Sequence, residues 1–215
     1  MPITASHLFR LAGLAAVIAG LSYVVVGIFH PPNVIASVTT TAWIAVHIFA
    51  LALAFFGLLG LTGLYARQVE ESGWLGLAGY LMLCLWLALV MGFTFVEIFI
   101  LPITASASPA FVESIVGMFT GTAATVDLGP LPTLWLISGP LYIVGGVAFG
   151  IATFRAHVFP RWVGILLALG TAIGPAAVLF PPELTGFVAI PVGIALAWLG
   201  YSLWSMTEPR AAAAA

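Results

Sequence analysis

The stretch WLGLAGYLMLCLWLALVMGFTFVEIFIL, residues 74–101, decides the fold of this chain. Its 28 residues contain one charged side chain, Glu97, close to the C-terminal end. A helix needs about 20 predominantly apolar residues to cross the hydrocarbon core of a bilayer. The stretch therefore predicts a transmembrane helix, and it raises the question of what a carboxylate does inside it.

The rest of the chain has the same apolar character. Of its 215 residues, 63% are hydrophobic and 6% are charged, and the mean hydropathy is +1.23. Soluble domains carry about 25% charged residues, because their surface must face water. The composition therefore predicts an integral membrane protein. With a net charge of −2 and no lysine, the chain also lacks the basic stripe that a nucleic-acid binder needs.

Prolines, charges and turn residues divide the chain into six apolar segments. We predict an all-α bundle of six transmembrane helices, with spans at about 8–29, 41–65, 74–101, 134–154, 162–180 and 184–206. The first segment is longer than the apolar core of a signal peptide, so we expect it to be retained. Residues 1–210 form one membrane domain, and we expect the alanines at 211–215 not to belong to the native structure.

The five arginines predict how the chain is oriented. With six spans and a cytoplasmic N-terminus, all of them fall on the cytoplasmic side, at positions 10, 67, 155, 161 and 210. Cytoplasmic loops of membrane proteins carry such an excess of basic residues. Both termini are therefore predicted to be cytoplasmic. The lysine-free composition, rich in Ala, Gly and Leu, is similar to that of small multi-pass proteins of high-GC bacteria, so we expect the bacterial inner membrane.

Glycines recur every seven residues in the first and last predicted spans. They are Gly13, Gly20 and Gly27 in the first span and Gly186, Gly193 and Gly200 in the last. Small residues at helical spacing allow the backbones of membrane helices to approach closely. We predict that these faces pack helices together, either within the chain, between copies of it, or against other membrane subunits.

One connection is long. It covers residues 102–133 and falls on the outer side in the predicted topology. Within it, the segment PAFVESIVGMF, residues 109–119, predicts a short amphipathic helix at the outer membrane interface. Connections of about 30 residues are uncommon and are often functional.

The sequence contains no recognisable catalytic or metal-binding motif. Paired-cysteine metal motifs, HExxH, GxSxG and the P-loop are all absent. We therefore assign no catalytic residue and no metal ligand, and we favour a non-enzymatic function. Acid–base work by a glutamate and a histidine on a lipid-like substrate is the enzymatic alternative.

The polar groups that could carry function collect in the outer half of the predicted bundle. The candidates for binding a ligand or a proton are Glu97, His47, His30, Asp127, Tyr142 and Ser138. Prolines within helices lie in the same half and can splay them. We expect an outward-facing apolar pocket lined by Trp43, Phe49, Phe93, Phe95, Phe99, Pro140, Pro175 and Pro191.

Each of these groups also has an ordinary structural explanation. Glu97 is predicted to lie about 6 Å from the outer end of its helix, where it could reach interfacial water. His47 could make a hydrogen bond between helices, His30 could end a helix, and Asp127 could cap a turn. Whether Glu97 faces a pocket or the interface is the question that the sequence leaves open.

Several functions are compatible with this pattern. The first is a non-catalytic protein, either an accessory or assembly subunit of a larger membrane complex or a bundle that binds a small molecule. The second is a proton-linked transporter that uses Glu97 and His47. The third is a haem- or chlorin-binding protein with His47 as the axial ligand.

Overall fold

The computed structural model describes residues 2–174 and 182–206 of the chain. The chain is 84% helical, and no strand occurs in the described residues. The prediction of an all-α fold is therefore confirmed. Seven longer α-helices are described: α1 (Ala5–Phe29), α2 (Thr41–Arg67), α3 (Val69–Phe95), α4 (Pro109–Thr120), α5 (Leu131–Ala156), α6 (Arg161–Ala172) and α7 (Ile190–Ser205).

Shorter elements extend or connect these helices. Ile35–Val38 forms a single turn before α2. A π-helical turn at Val96–Ile100 continues α3, and Leu101–Thr104 completes it. A 3₁₀-helix at Pro182–Ala189 leads into α7.

Five helical segments are long and apolar enough to cross a membrane. Their bounds are Ala5–Phe29, Thr41–Arg67, Val69–Thr104, Leu131–Ala156 and Leu184–Ser205. By the length and composition of its helices, the chain is a multi-pass membrane protein. The predicted span at 162–180 coincides with α6, but α6 has only 12 residues. Residues 175–180 of that predicted span, which include Pro175, lie outside the described part of the chain.

The helices pack in a ring. Around it, α1 contacts α2, α2 contacts α3, α3 contacts α5, α5 contacts α6, α6 contacts α7, and α7 returns to α1. The arginines at positions 10, 67, 155 and 161 lie where helices begin or end on one side of this ring, which we call the arginine end. The helix α4 lies at the opposite end. There its buried residues Val112, Ile115 and Val116 form a second small core with Val38, Trp43 and Leu101.

The spaced glycines join α1 to α7. A Cβ atom on Gly13 would lie 2.7 Å from the carbonyl oxygen of Gly200, and one on Gly27 would lie 2.6 Å from that of Gly186. Gly20 packs in the same way against Gly193. The prediction that these glycines are packing residues is therefore confirmed. They are occupied within the chain, so this pair of faces is not free for self-association.

The segment between α2 and α3 differs from its prediction as a loop. Helix α3 already begins at Val69, and the helical path is broken only at Gly73, where φ is +57°. Glu70 and Glu71 occupy the first turn of α3, where the partial positive charge of a helix N-terminus favours them. The side chain of Gln68 is fully buried at this junction and donates a hydrogen bond from Nε2 to Thr153 Oγ1 over 3.0 Å.

Proline explains the π-helical turn in which Glu97 lies. In a regular α-helix, the ring of Pro102 would collide with the carbonyl group of Ile98, and Pro102 has no N–H to donate. The wider turn relieves this conflict, and the N–H of Leu101 bonds to the carbonyl of Val96 instead. The helix then continues to Thr104, so Glu97 lies about 10 Å from its end, deeper than predicted.

Candidate functional site

A cavity of about 710 Å³ lies between α1, α2, α3 and α5, at the end of the ring opposite the arginine end. Six aromatic residues contribute to its wall: Tyr23, Trp86, Phe93, Phe119, Trp135 and Tyr142. The polar residues that line it are His30, Asn33, His47, Thr94, Glu97 and Ser138. The site is therefore a mostly apolar cavity with a few convergent polar groups.

Seven of the candidates chosen from the sequence line this cavity. They are Glu97, His47, His30, Tyr142, Ser138, Phe93 and Pro140. Glu97 is 8% exposed and faces the cavity, and it does not lean out toward an aqueous interface. The structure thus brings together groups from the end of α1, from α2, from the π-helical turn and from α5.

Helical periodicity explains why three aromatic candidates lie elsewhere. Phe95 and Phe99 are each two residues from Glu97, which places them on the opposite side of the helix. Their rings pack together at 5.0 Å on the exposed surface. Phe49 is two residues from His47 and is exposed for the same reason. These three predicted lining residues are therefore not among those that line the cavity.

Three further candidates do not line the cavity. Asp127 lies in the loop before α5, where its Oδ1 accepts a hydrogen bond from the backbone N–H of Gly129 over 2.8 Å, as in an Asx turn. Pro191 packs against α6, since a Cβ on Gly170 would lie 3.2 Å from it. Trp43 is fully buried behind the cavity wall. Pro175 lies outside the described residues.

Trp43 has a structural role that the sequence did not indicate. Its Nε1 donates a hydrogen bond over 3.0 Å to the backbone carbonyl of Glu97. In the π-helical pattern that carbonyl would accept from residue 102, which is a proline without an N–H. The indole of Trp43 therefore satisfies the carbonyl that Pro102 leaves free, and it ties α2 to the turn that carries Glu97.

His47 is held between Trp43 and Glu97. Its ring stacks on the indole of Trp43 with centroids 4.1 Å apart. Its Nδ1 lies 2.7 Å from the carbonyl oxygen of Trp43, and because a carbonyl only accepts, Nδ1 carries a proton. Its Nε2 lies 3.4 Å from Glu97 Oε1 and has no hydrogen bond of its own. The pair is within ion-pair distance, but the geometry is not that of a hydrogen bond.

His30 adds a second imidazole to this wall. Its ring centroid is 5.0 Å from that of His47, and its Nδ1 donates to the carbonyl of Pro31 over 2.7 Å. The side chain is exposed on one side, but the protein atoms around the ring lower its pKa below the ordinary value of a histidine. The neighbouring His47 lowers the pKa of His30 further. The hydrogen bond to the Pro31 carbonyl and the nearby Glu97 act in the opposite direction and raise it, but by less.

Aromatic side chains close two sides of the cavity. On one side, the hydroxyl of Tyr23 donates to that of Tyr142 over 3.2 Å, and the rings of Tyr142 and Trp86 lie 4.6 Å apart. Near α4, Phe119 packs edge-on against Trp135 with centroids 4.8 Å apart. Both groups of rings present apolar surface to the interior.

Several lining residues were missed by the sequence analysis. Trp86, Val90 and Thr94 lie on the same face of α3 as Phe93 and Glu97, at helical spacing, so counting back from Glu97 would have found them. Tyr23, Asn33, Phe119 and Trp135 reach the cavity from elements distant in sequence, and no local pattern indicates them.

The geometry does not fit a haem or a chlorin bound through His47. An axial ligand needs Nε2 about 2.1 Å from the metal and an open face beside it. His47 is 1% exposed, and the Glu97 carboxylate already faces its Nε2. Within the described residues, no group of three or more His, Cys, Asp or Glu side chains could hold a metal ion.

Comparisons with models of protein families, with known protein sequences and with solved structures found no match to this chain.

Proposed function

We propose that the protein binds a small, largely apolar molecule in this cavity. The observation that carries the proposal is the cavity itself, about 710 Å³ in volume, with aromatic walls and a few polar groups that converge on it. Small-molecule sites in proteins have volumes of about 300–1,000 Å³ and this same mixture of lining residues.

The pairing of the first and last helices supports a bundle that crosses the membrane six times. Gly13 lies beside Gly200 and Gly27 lies beside Gly186, so α1 and α7 are antiparallel. Ala5 at the start of α1 and Ser205 at the end of α7 then lie on the same side of the bundle, as they would with an even number of crossings between them. Gly164 at the start of α6 packs on Gly150 near the arginine end, and Gly186 packs beside Gly27 at the opposite end, so we infer a sixth crossing between Gly164 and Gly186.

The arginines support a cavity that opens outward. The arginines at positions 10, 67, 155 and 161 lie at the arginine end, and the cavity is at the opposite end. If the positive-inside rule holds here, the arginine end is cytoplasmic. The proposed location is a bacterial inner membrane, with the cavity facing the outer side.

Binding is favoured over transport because the arginine half of the bundle is closely packed. Buried leucines, among them Leu61, Leu64, Leu83 and Leu199, fill the centre of the ring. A proton-linked transporter would need a second opening through this region.

An accessory subunit has less support than the sequence suggested. The glycine faces of α1 and α7, which could have contacted a partner protein, pack against each other within the chain.

Filling the cavity tests the proposal. Gly139 lines it, and a Cβ atom there would meet no heavy atom within 4 Å. Gly139→Phe should fold normally but should abolish binding of 4-phenylbutan-1-ol, measured by calorimetry in detergent. The matched control is Gly92→Phe, since Gly92 is exposed, does not line the cavity and is equally unobstructed. The proposal fails if the alcohol does not bind, or if both variants bind it as the unmodified protein does.

A further inference from the structure

The histidines that face the cavity offer it acceptors. His30 and His47 each donate from Nδ1 to a backbone carbonyl, at 2.7 Å in both cases. In a neutral ring, the other nitrogen then carries a lone pair and no proton. When the rings are neutral, the Nε2 atoms of both are therefore hydrogen-bond acceptors, and that of His47 is buried without a hydrogen-bond partner.

Other polar atoms in the wall are acceptors too. An ionised Glu97 can only accept hydrogen bonds, and Asn33 Oδ1 is buried without a partner. The hydroxyl of Ser138 donates to the carbonyl of Trp135 over 2.6 Å, which leaves only its lone pairs for a ligand. A molecule bound here meets these acceptors beside the donors of Asn33 Nδ2, Thr94 and the Tyr142 hydroxyl, and Glu97 is the one carboxylate among the described lining residues.

Two of these acceptors face each other. Without a proton between them, His47 Nε2 and Glu97 Oε1 would place two lone pairs 3.4 Å apart in a buried site. Burying unpaired polar groups in this way is unfavourable. The pair is therefore stabilised when His47 is protonated, or when a cation from outside takes the place of that proton.

The remaining surroundings also favour positive charge. No arginine lines the cavity in the described part of the chain, and the sequence contains no lysine. The rings of Trp86, Trp135 and Tyr142 line the same space. Aromatic faces attract ammonium groups within about 6 Å, and the attraction grows where water is excluded.

We propose that the ligand is an apolar organic cation, such as a protonated alkylamine, whose ammonium group binds Glu97 and displaces the proton of His47. This inference rests on the proposed binding function and names the ligand class for the same cavity. The step breaks no covalent bond in the ligand. The Nε2–H proton of His47 passes to solvent, and an N–H of the ligand donates to the Glu97 carboxylate, so the net charge of the site is unchanged.

The proton exchange gives binding a pH dependence with a definite sign. The titratable groups that face the pair are His30, Tyr23 and Tyr142, and Asn33 and Ser138 are uncharged. Since one proton leaves as one cation enters, the affinity for the cation should rise with pH. Because one proton is released for each cation bound, the association constant can rise by at most about tenfold for each unit of pH.

Three probes with one skeleton test the inference. They are 4-phenylbutylammonium, 4-phenylbutan-1-ol and 4-phenylbutyrate, which are positive, neutral and negative. At pH 8 the ammonium ion should bind about tenfold more tightly than the alcohol, as expected for a desolvated cation near aromatic rings and a carboxylate. The anion should bind most weakly. Calorimetry in two buffers of different ionisation enthalpy should detect about one proton released per ammonium bound.

The outcomes separate this inference from the proposed function. If the alcohol binds as tightly as the ammonium and Gly139→Phe blocks both, the cavity binds ligands but the preference for cations is wrong. If none of the probes binds, the proposed function fails as well. Glu97→Gln should reduce the ratio of ammonium to alcohol affinity to about 1. Should that variant not fold, the comparison of the three probes with the unmodified protein decides alone.

Discussion

The two ends of the bundle are built from residues of different size. At the arginine end, backbones meet directly. A Cβ on Gly60 would lie 2.6 Å from the backbone nitrogen of Ala16, and one on Gly79 would lie 2.8 Å from Cα of Phe149. At the opposite end, Tyr23, Trp86 and Tyr142 stand between the same helices. Between α1, α2, α3 and α5, one end is closed by glycine and alanine and the other is held apart around a cavity, while α1 and α7 stay in contact along their length.

This difference explains why the site lies where it does. Small residues allow close approach of membrane helices, and the contacts that follow stabilise the bundle without bound molecules. Large rings, Pro140 and the π-helical turn prevent that approach at the other end. The closed half provides a rigid base, and the cavity half leaves polar groups such as Glu97 and His47 available to a ligand.

The largest expected effect comes from adding one carbon atom to the closed half. Gly79→Ala places a Cβ against the backbone of Phe149, which cannot move as a flexible side chain would. We expect the free energy of unfolding to fall by about 3 kcal/mol, as for severe overpacking. Unfolding in mixed micelles, followed by circular dichroism, measures the change.

The matched control for this variant is Gly92→Ala in the same helix. A Cβ on Gly92 meets no heavy atom within 4 Å, so the substitution adds no clash. Stability should stay the same or rise by about 0.5 kcal/mol, because alanine is the better helix former. Equal losses in the two variants would mean that close packing of Gly79 does not distinguish the halves.

A smaller effect is expected from the indole that supports the π-helical turn. Trp43→Phe removes the donor to the carbonyl of Glu97 and leaves that carbonyl without its partner. The free energy of unfolding should fall by about 2 kcal/mol, the cost of a buried unsatisfied group. The control Trp74→Phe changes an indole that is 85% exposed and should alter stability by less than about 0.5 kcal/mol. Similar effects at the two positions would contradict the role of Trp43.

Much of the fold followed from the sequence because membrane helices carry strong signals. Long apolar runs located the segments, and the seven-residue spacing of Gly13, Gly20 and Gly27 identified a packing face. The positions of Glu97 and His47 along their predicted helices also placed both residues in the outer half of the bundle. These features depend on local composition and on regular geometry, which a sequence records directly.

The rest depended on contacts between distant segments. Phe119 and Trp135 lie in different helices, and nothing near them in sequence brings them to the cavity. Phe95 and Phe99 are aromatic, as lining residues often are, but each is two residues from Glu97 and therefore lies on the opposite side of the helix. The π-helical turn at Glu97 involves Pro102 and Trp43, which are 59 positions apart in the sequence. The hydrogen bond from the Trp43 indole to the carbonyl of Glu97 forms only because α2 packs against this turn.

Access to the cavity from one side of the membrane tests the central claim most directly. In a Cys84→Ser background, Gly139→Cys should react with a membrane-impermeant thiol reagent added from the outer side. Ser72→Cys, buried at the arginine end, should not react. Prior addition of 4-phenylbutan-1-ol should slow the reaction at position 139. Labelling of Gly139→Cys only from the cytoplasmic side, or no labelling from either side, would contradict an outward-facing binding cavity.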